Sequence, residues 1–217
     1  MNKYLYGKKV HLEPVVNGDA GFRFSDLTHY ARLENENMRD EEMVKAFIVD
    51  KDTNEIHVNG LLLNSEDIAA DPEFSFSARH CFCLCLSNRK NSPELFEKFK
   101  ADICIEVKVD ALIKFLNMVC SDIFPGMFVD ARDIVYYSKG YLPEELSSID
   151  LVFHKPKSFE HEDEFRMALF YPLDRPGFKS SEGDTIPFIN EGESNHLTVS
   201  CENPEFLKQF IGELFIK

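Results

Sequence analysis

The chain places several carboxylates within a few residues of one another in Lys155 to Tyr171, KPKSFEHEDEFRMALFY. From Phe165 onward the apolar residues alternate, which predicts a strand with Phe165, Met167, Leu169 and Tyr171 on one face and Glu160, Glu162, Glu164 and Arg166 on the other. Two residues along a strand advance about 6.6 Å, so Glu162 and Glu164 are expected to project side by side. Such a pair suits sugar chemistry, one carboxylate stabilising an oxocarbenium-like transition state while its neighbour orients or deprotonates an acceptor. The alternative is a solvated acidic strand edge, the usual place for charged side chains.

The elements that must position this pair are mixed. A short strand is expected over Gly21 to Ser25, with Ser25 or Asp26 capping a helix to about Leu33. Met43 to Val49 and Ile56 to Leu63 read as strands around DKDTNE, a linker with hairpin character. Phe74 to Ala78 follows, then Cys81 to Leu86, whose continuous apolar character predicts a buried central strand. Ser92-Pro93 starts a helix to Lys100, Asp102 to Val109 alternates as a strand, and Asp110 is placed to cap a helix to about Cys120. Further strands are expected over Val129 to Tyr137, Ile149 to His154, Glu164 to Tyr171 and His196 to Ser200, with a last helix from Asn203-Pro204 to about Leu214. The order predicts a single α+β domain over residues 1–217, with mainly antiparallel sheets and peripheral helices. Arg175 to Asp184 is the segment best suited to be a mobile lid.

Composition narrows the partners. With 38 acidic and 24 basic residues the formal charge is -14, which disfavours general binding to nucleic acid or anionic membrane and also serves solubility. The first residues form no apolar leader and no stretch approaches the roughly 20 apolar residues of a membrane span, so a cytoplasmic protein is expected. Cys81, Cys83 and Cys85 alternate on one strand face instead of forming the C-x-x-C turn that wraps zinc, and reduced thiols with no metal are expected. Phosphate-loop, dinucleotide-fold, zincin and hydrolase-elbow motifs are missing.

Four segments, GFRFSDLTHYARLENENMRDEE, FCLCLSN, ADICIEV and HKPKSFEHEDEFR, together resemble a bacterial and phage family of unknown-function proteins that ends in an E-x-E-x-R strand. The order arginine, serine on a central strand, then E-x-E also resembles the R-S-E arrangement of ADP-ribosyltransferases. That resemblance implies a split β-sandwich gripping NAD between two small sheets. It implies Arg23 on an NAD phosphate, with Arg39 as the competing arginine, Ser87 supporting the nicotinamide-side ribose, Glu164 as the catalytic glutamate and Glu162 in acceptor activation. Leu86-Ser87-Asn88 stands where the superfamily often has Ser-Thr-Ser. Tyr30 and Tyr137 are candidates to stack on nicotinamide or adenine, or else core tyrosines, and Arg166 is expected to pair with a nearby acid. The implied activity is NAD-dependent ADP-ribosyl transfer to a protein or nucleic-acid acceptor, or else NAD glycohydrolysis, in phage-host conflict or a toxin system. The alternative is a non-enzymatic acidic protein, a nucleic-acid mimic or an inhibitor of a basic partner.

Overall fold

The computed structural model describes residues 1–141, 147–190 and 192–217. Its first half runs β1 (Asn2–Gly7), α1 (Lys9–Asn17), β2 (Phe22–Asp26), α2 (Thr28–Ala31), β3 (Val44–Ile48), β4 (His57–Val58), β5 (Leu61–Leu62), β6 (Glu73–Ser77), β7 (Phe82–Ser87), α3 (Pro93–Lys98) and β8 (Ile103–Lys108). The second half runs α4 (Val109–Asp122), β9 (Phe128–Asp133), β10 (Val135–Tyr137), β11 (His154–Pro156), β12 (Glu164–Phe170), β13 (Gly177–Lys179), β14 (Thr185–Pro187), β15 (His196–Val199), α5 (Pro204–Lys208) and β16 (Ile211–Ile216). The class is α+β, and among the described residues every strand pair is antiparallel except β10 with β11.

Eight strands form one sheet around β7. On one side β7 pairs with β12, which pairs onward with β9. Its other edge is shared: β2 pairs at Phe82 and Cys83, and β1 pairs at Ser87. The sheet therefore forks at Leu84 to Leu86, with β2 and β15 in one branch and β1, β8 and β16 in the other. Four two-stranded sheets, β10-β11, β13-β14, β3-β6 and β4-β5, accompany this forked sheet.

Strand alternation divides the interior into faces. Phe82, Leu84 and Leu86 of β7, with Phe165, Met167 and Leu169 of β12, join the largest core, which α1, α4 and α5 cover. Leu112, Leu116 and Cys120 form the buried stripe of α4 at helical spacing. Cys81, Cys83, Ala168 and Phe170 point to the opposite face and join a second core with Phe47, Tyr137 and Phe153. A third cluster gathers Phe96, Ala101 and Cys104 beside Tyr4 and Tyr6. The polar face expected of β12 is thus no solvated edge: all seven residues of the strand are buried.

Several elements differ from the sequence reading. Asn2–Gly7 is a central strand and Lys9–Asn17 a helix, where no element was expected. Gly18, at φ 78, closes α1 by donating its N–H towards Pro14 and Val15. β3 pairs with β6 rather than with Ile56 to Leu63, and the latter folds on itself around Asn59-Gly60, both in left-handed conformation. An Asn-Gly pair between apolar residues is itself a strong hairpin signal. Ile134 separates β9 from β10 and the two strands lie in different sheets. Asp150–Phe153 is a 3-10 turn and not a strand. The last helix ends at Lys208, and Ile211–Ile216 returns as an edge strand. The Arg175 to Asp184 segment belongs to a hairpin whose Phe178 packs on Phe124 and Phe188. Ser92 does cap α3, accepting from Leu95 N, whereas Asp110 sits in the first turn of α4 and pairs with the N-terminal ammonium.

Gly21 enters β2 flush against Val199 and Ser200, and a Cβ there would collide with the Val199 carbonyl. Overpacking against a backbone neighbour costs about 1–3 kcal/mol. Gly21→Ala is expected to lower the melting temperature by several degrees in a thermal melt.

Candidate functional site

The gap between the second and third cores opens over the end of β7 as a narrow pocket of about 480 Å³ including its mouth. Tyr4, Tyr6 and Phe99 form one wall, Tyr30 and Met38 the other, and Ser87, Lys155, Glu162 and Glu164 supply the polar floor. Tyr4 pairs with Ser87 and Ser87 with Glu164 across the sheet, so these three side chains share a face.

Glu162 reaches the floor by a different route from the one expected. Lys157–Glu162 is a 3-10 turn, and Asp163 takes a left-handed conformation (φ 44, ψ 58) before β12 begins at Glu164. The two carboxylates adjoin because this turn folds back, not because they alternate along one strand. The end of β7 holds the turn in place. Ser87 Oγ donates to the Glu162 carbonyl at 2.7 Å, Asn88 N donates to the Asp163 carbonyl at 2.8 Å, and Asn88 Nδ2 donates to Asp163 Oδ1 at 2.9 Å. Ser87 therefore positions Glu162 through the backbone while also lining the pocket.

Beneath the floor lies a buried network of charges. Arg166 is fully buried on β12 and forks onto Glu42, with Nη2 to Oε1 at 2.7 Å and Nη1 to Oε2 at 2.8 Å. Its Nε donates to Glu164 Oε1 at 2.7 Å, and Nη1 also donates to the Val152 carbonyl. Lys155 Nζ donates to Glu162 Oε2 at 2.7 Å and to Glu164 Oε2 at 3.2 Å, and stands 3.7 Å from Glu42. Lys45 joins from β3, 2.7 Å from Glu42 and 3.9 Å from Asp40. The Glu164 N–H donates to the Tyr136 hydroxyl at 2.8 Å.

Three cations here meet four carboxylates, one more than they can match. Burial opposes ionisation of Glu164, but Arg166 and Lys155 outweigh it and hold the carboxyl at about 2. Burial pushes Glu162 up to about 8, Lys155 opposing and the charge of Glu164 adding. Burial together with the charge of Glu42 pushes Asp40 up to about 6. Adjacent carboxyls are thus driven apart, one ionised and one carrying a proton near neutrality, which is the division of labour that acid–base chemistry at a sugar requires. Burial would lower the pKa of Lys155, yet its three carboxylate neighbours raise it well above the usual lysine range and keep it charged. Burial raises Cys85, whose thiol donates to the Tyr30 hydroxyl at 2.9 Å, so it is an unreactive neutral thiol.

The other expected residues are dispersed. Arg23 is exposed on β2 and lines the larger cleft within the fork, about 1200 Å³, which shares Tyr6, Tyr30, Met38 and Cys85 with the carboxylate pocket. Arg39 is a surface residue paired with Glu36 and does not line the pocket. Its RDEE turn instead contributes Asp40 and Glu42 to the buried network. Tyr137 packs in the second core, its ring 4.6 Å from that of Phe47, and Tyr136 is the tyrosine whose hydroxyl bonds Glu164. Lys155 and Glu42 were not singled out by sequence reasoning, although both fall within the segments HKPKSFEHEDEFR and RDEE. Among the described residues no group of three His, Cys, Asp or Glu is placed to hold a metal ion.

Two outcomes follow from the network. Arg166→Met leaves Glu42 and Glu164 buried without their main cation and is expected to cost about 3–5 kcal/mol in chemical denaturation. The raised pKa of Glu162 makes its protonated form favour the folded state, a contribution complete below its ordinary value of 4.5 and lost as pH rises towards 8. Glu164 has the opposite sign, and its contribution fades only as pH falls from 4.5 towards 2. Glu162→Gln, which imitates the protonated acid, is therefore expected to lose less melting temperature than the wild type between pH 5 and pH 8. Compared with protein-family models, with curated proteins and with solved structures, the chain matches none.

Proposed function

We propose that the protein is an NAD-consuming ADP-ribosyltransferase that binds the nicotinamide riboside end of NAD in the carboxylate pocket. The observation that carries this reading is convergence. Tyr30, Ser87 and the Glu162/Glu164 pair come from three distant parts of the chain and line one aromatic-walled pocket, and Arg23 borders the cleft that adjoins it. Aromatic rings and an excess of carboxylate suit the flat, cationic nicotinamide ring of NAD. The guanidinium of Arg23, exposed at the adjoining cleft, suits a phosphate oxygen.

Glu164 acts as a fixed anion. Held by Arg166 and Lys155 and ionised across the neutral range, it accepts a hydrogen bond from a ribose hydroxyl and stabilises positive charge growing at the anomeric carbon. The glycosidic C–N bond breaks with its electron pair going to nicotinamide, which leaves neutral. The acceptor's nucleophile then bonds to the anomeric carbon and gives its proton to Glu162 when that carboxyl is ionised. Lys155 contacts both carboxylates and keeps their separation constant through the step.

Nicotinamide release from NAD by the purified protein, with and without cell lysate as acceptor source, tests the proposal. Glu164→Gln is expected to reduce release by at least about 10²-fold, since a preorganised charge at the transition state is worth that much. Wild-type transfer is expected to climb with pH to a plateau above pH 8, and Glu162→Gln to flatten that climb. Release that persists in Glu164→Gln overturns the assignment of Glu164. No release under any condition, with salt-sensitive binding to a basic partner that survives Glu164→Gln, favours the acidic binding protein that the charge of -14 suggests.

A further inference from the structure

The segment between β3 and β6 carries apolar surface that the fold does not use. From the end of β3 it runs out through the Asn59-Gly60 hairpin and back to β6. Leu61 is 72% exposed and Leu62 58%, with Val58 also exposed, although β4 and β5 are too short to bury anything of their own. At the base of the hairpin a groove of about 900 Å³, including its open mouth, is lined by Ile56, Leu62, Leu63 and Ile68, with Asp52, Glu55 and Lys51 along it. Isolated two-stranded ribbons do not hold themselves in water. This one is tied down from within: Lys51 Nζ donates to the carbonyls of Ser65 at 3.1 Å and Ile68 at 2.6 Å, its N–H donates to Asp71 Oδ1, and Leu63 N donates to the Ile56 carbonyl. The exposed leucines are thus held in one arrangement.

The electrostatic setting is one-sided. Between Asp50 and Glu73 the chain has seven carboxylates and a single lysine, Lys51, whose ammonium is directed into backbone carbonyls. Asp71 is paired with Lys139 and Glu55 with His57, while among the described residues Asp52, Glu66, Asp67 and Glu73 make no ion pair. A second copy of this chain would bring the same acids against them, and the overall charge of -14 adds to that repulsion.

From this complementarity we infer that the hairpin groove is a docking site for an extended, basic segment of another protein. Apolar side chains of that segment cover Leu62 and Leu63, and its alternating Lys or Arg meet Asp52 and Glu55. The site stands independently of the NAD reading, since none of its lining residues borders the carboxylate pocket.

The test is fluorescence anisotropy with a labelled peptide of sequence Lys-Val-Lys-Leu-Lys-Val-Lys-Leu, against the same peptide with Glu in place of Lys. The basic peptide is expected to bind and the acidic one not. Leu62→Ser with Leu63→Ser, and separately Asp52→Asn with Glu55→Gln, are expected to weaken binding at least tenfold. All four residues line the groove and are exposed, so these variants keep the fold. Glu182→Gln with Asp184→Asn, a charge change of equal size in a distant exposed hairpin, is expected to leave binding unchanged, as is Glu164→Gln. Absence of binding, equal binding of the two peptides, or equal loss in the distant pair overturns the site. Concentration-dependent dimerisation that the leucine pair abolishes overturns it in favour of a second copy as occupant.

Discussion

A guanidinium with no exposed surface, Arg166, sits where the central sheet, the RDEE turn and the carboxylate pocket meet. Its position in the middle of β12 means that it cannot move without the sheet, and its five donors are spent on Glu42, Glu164 and the Val152 carbonyl. A buried charge of this kind is tolerated only with full pairing, because the desolvation penalty of an unpaired ion amounts to several kcal/mol. The loop after α2, the 3-10 turn at Asp150–Phe153 and the start of β12 are consequently all held to one set of distances. The pocket floor inherits that rigidity.

Such a network is not the most stabilising way to fill a core, since a well-packed apolar replacement is often equal or better. Its consequence here is chemical. Three cations beside four carboxylates leave one carboxylate without a cation of its own, and the unequal surroundings of Glu162 and Glu164 push their pKa values in opposite directions. Glu164 sits between both cations, whereas Glu162 touches only Lys155 and is itself exposed to the charge of Glu164. A pair of like residues is thereby made unlike.

The forked sheet supplies the room. Were β1 and β2 to pair along the full length of β7, Leu84 and Cys85 would be covered and the cleft bearing Arg23 would be closed. Small side chains support the opening: cysteines at 81, 83 and 85 leave space on the face where Ala168 and Phe170 pack and where Arg166 runs under Tyr30, 5.9 Å from its ring. Ser87 and Asn88, at the strand's end, convert backbone geometry into the placement of Glu162.

By itself the sequence determined the α+β class, the buried course of Cys81 to Leu86, the alternation of β12 and the Ser92 cap, because each rests on local periodicity or on a side chain bonding its own backbone. It also marked Glu162 and Glu164 as neighbours. Only the tertiary structure decided that both are buried and brought together by a turn, that the RDEE turn lends Glu42 rather than Arg39, and that Tyr136 rather than Tyr137 touches the site. These depend on contacts between residues up to 124 positions apart, which no local pattern records. Asn2–Gly7, whose Tyr4 and Tyr6 suit a strand, is fixed as one between β7 and β8. Ile149 to His154 is largely a 3-10 turn where a strand was expected, and the last helix stops at Lys208 because Ile211–Ile216 pairs with β8.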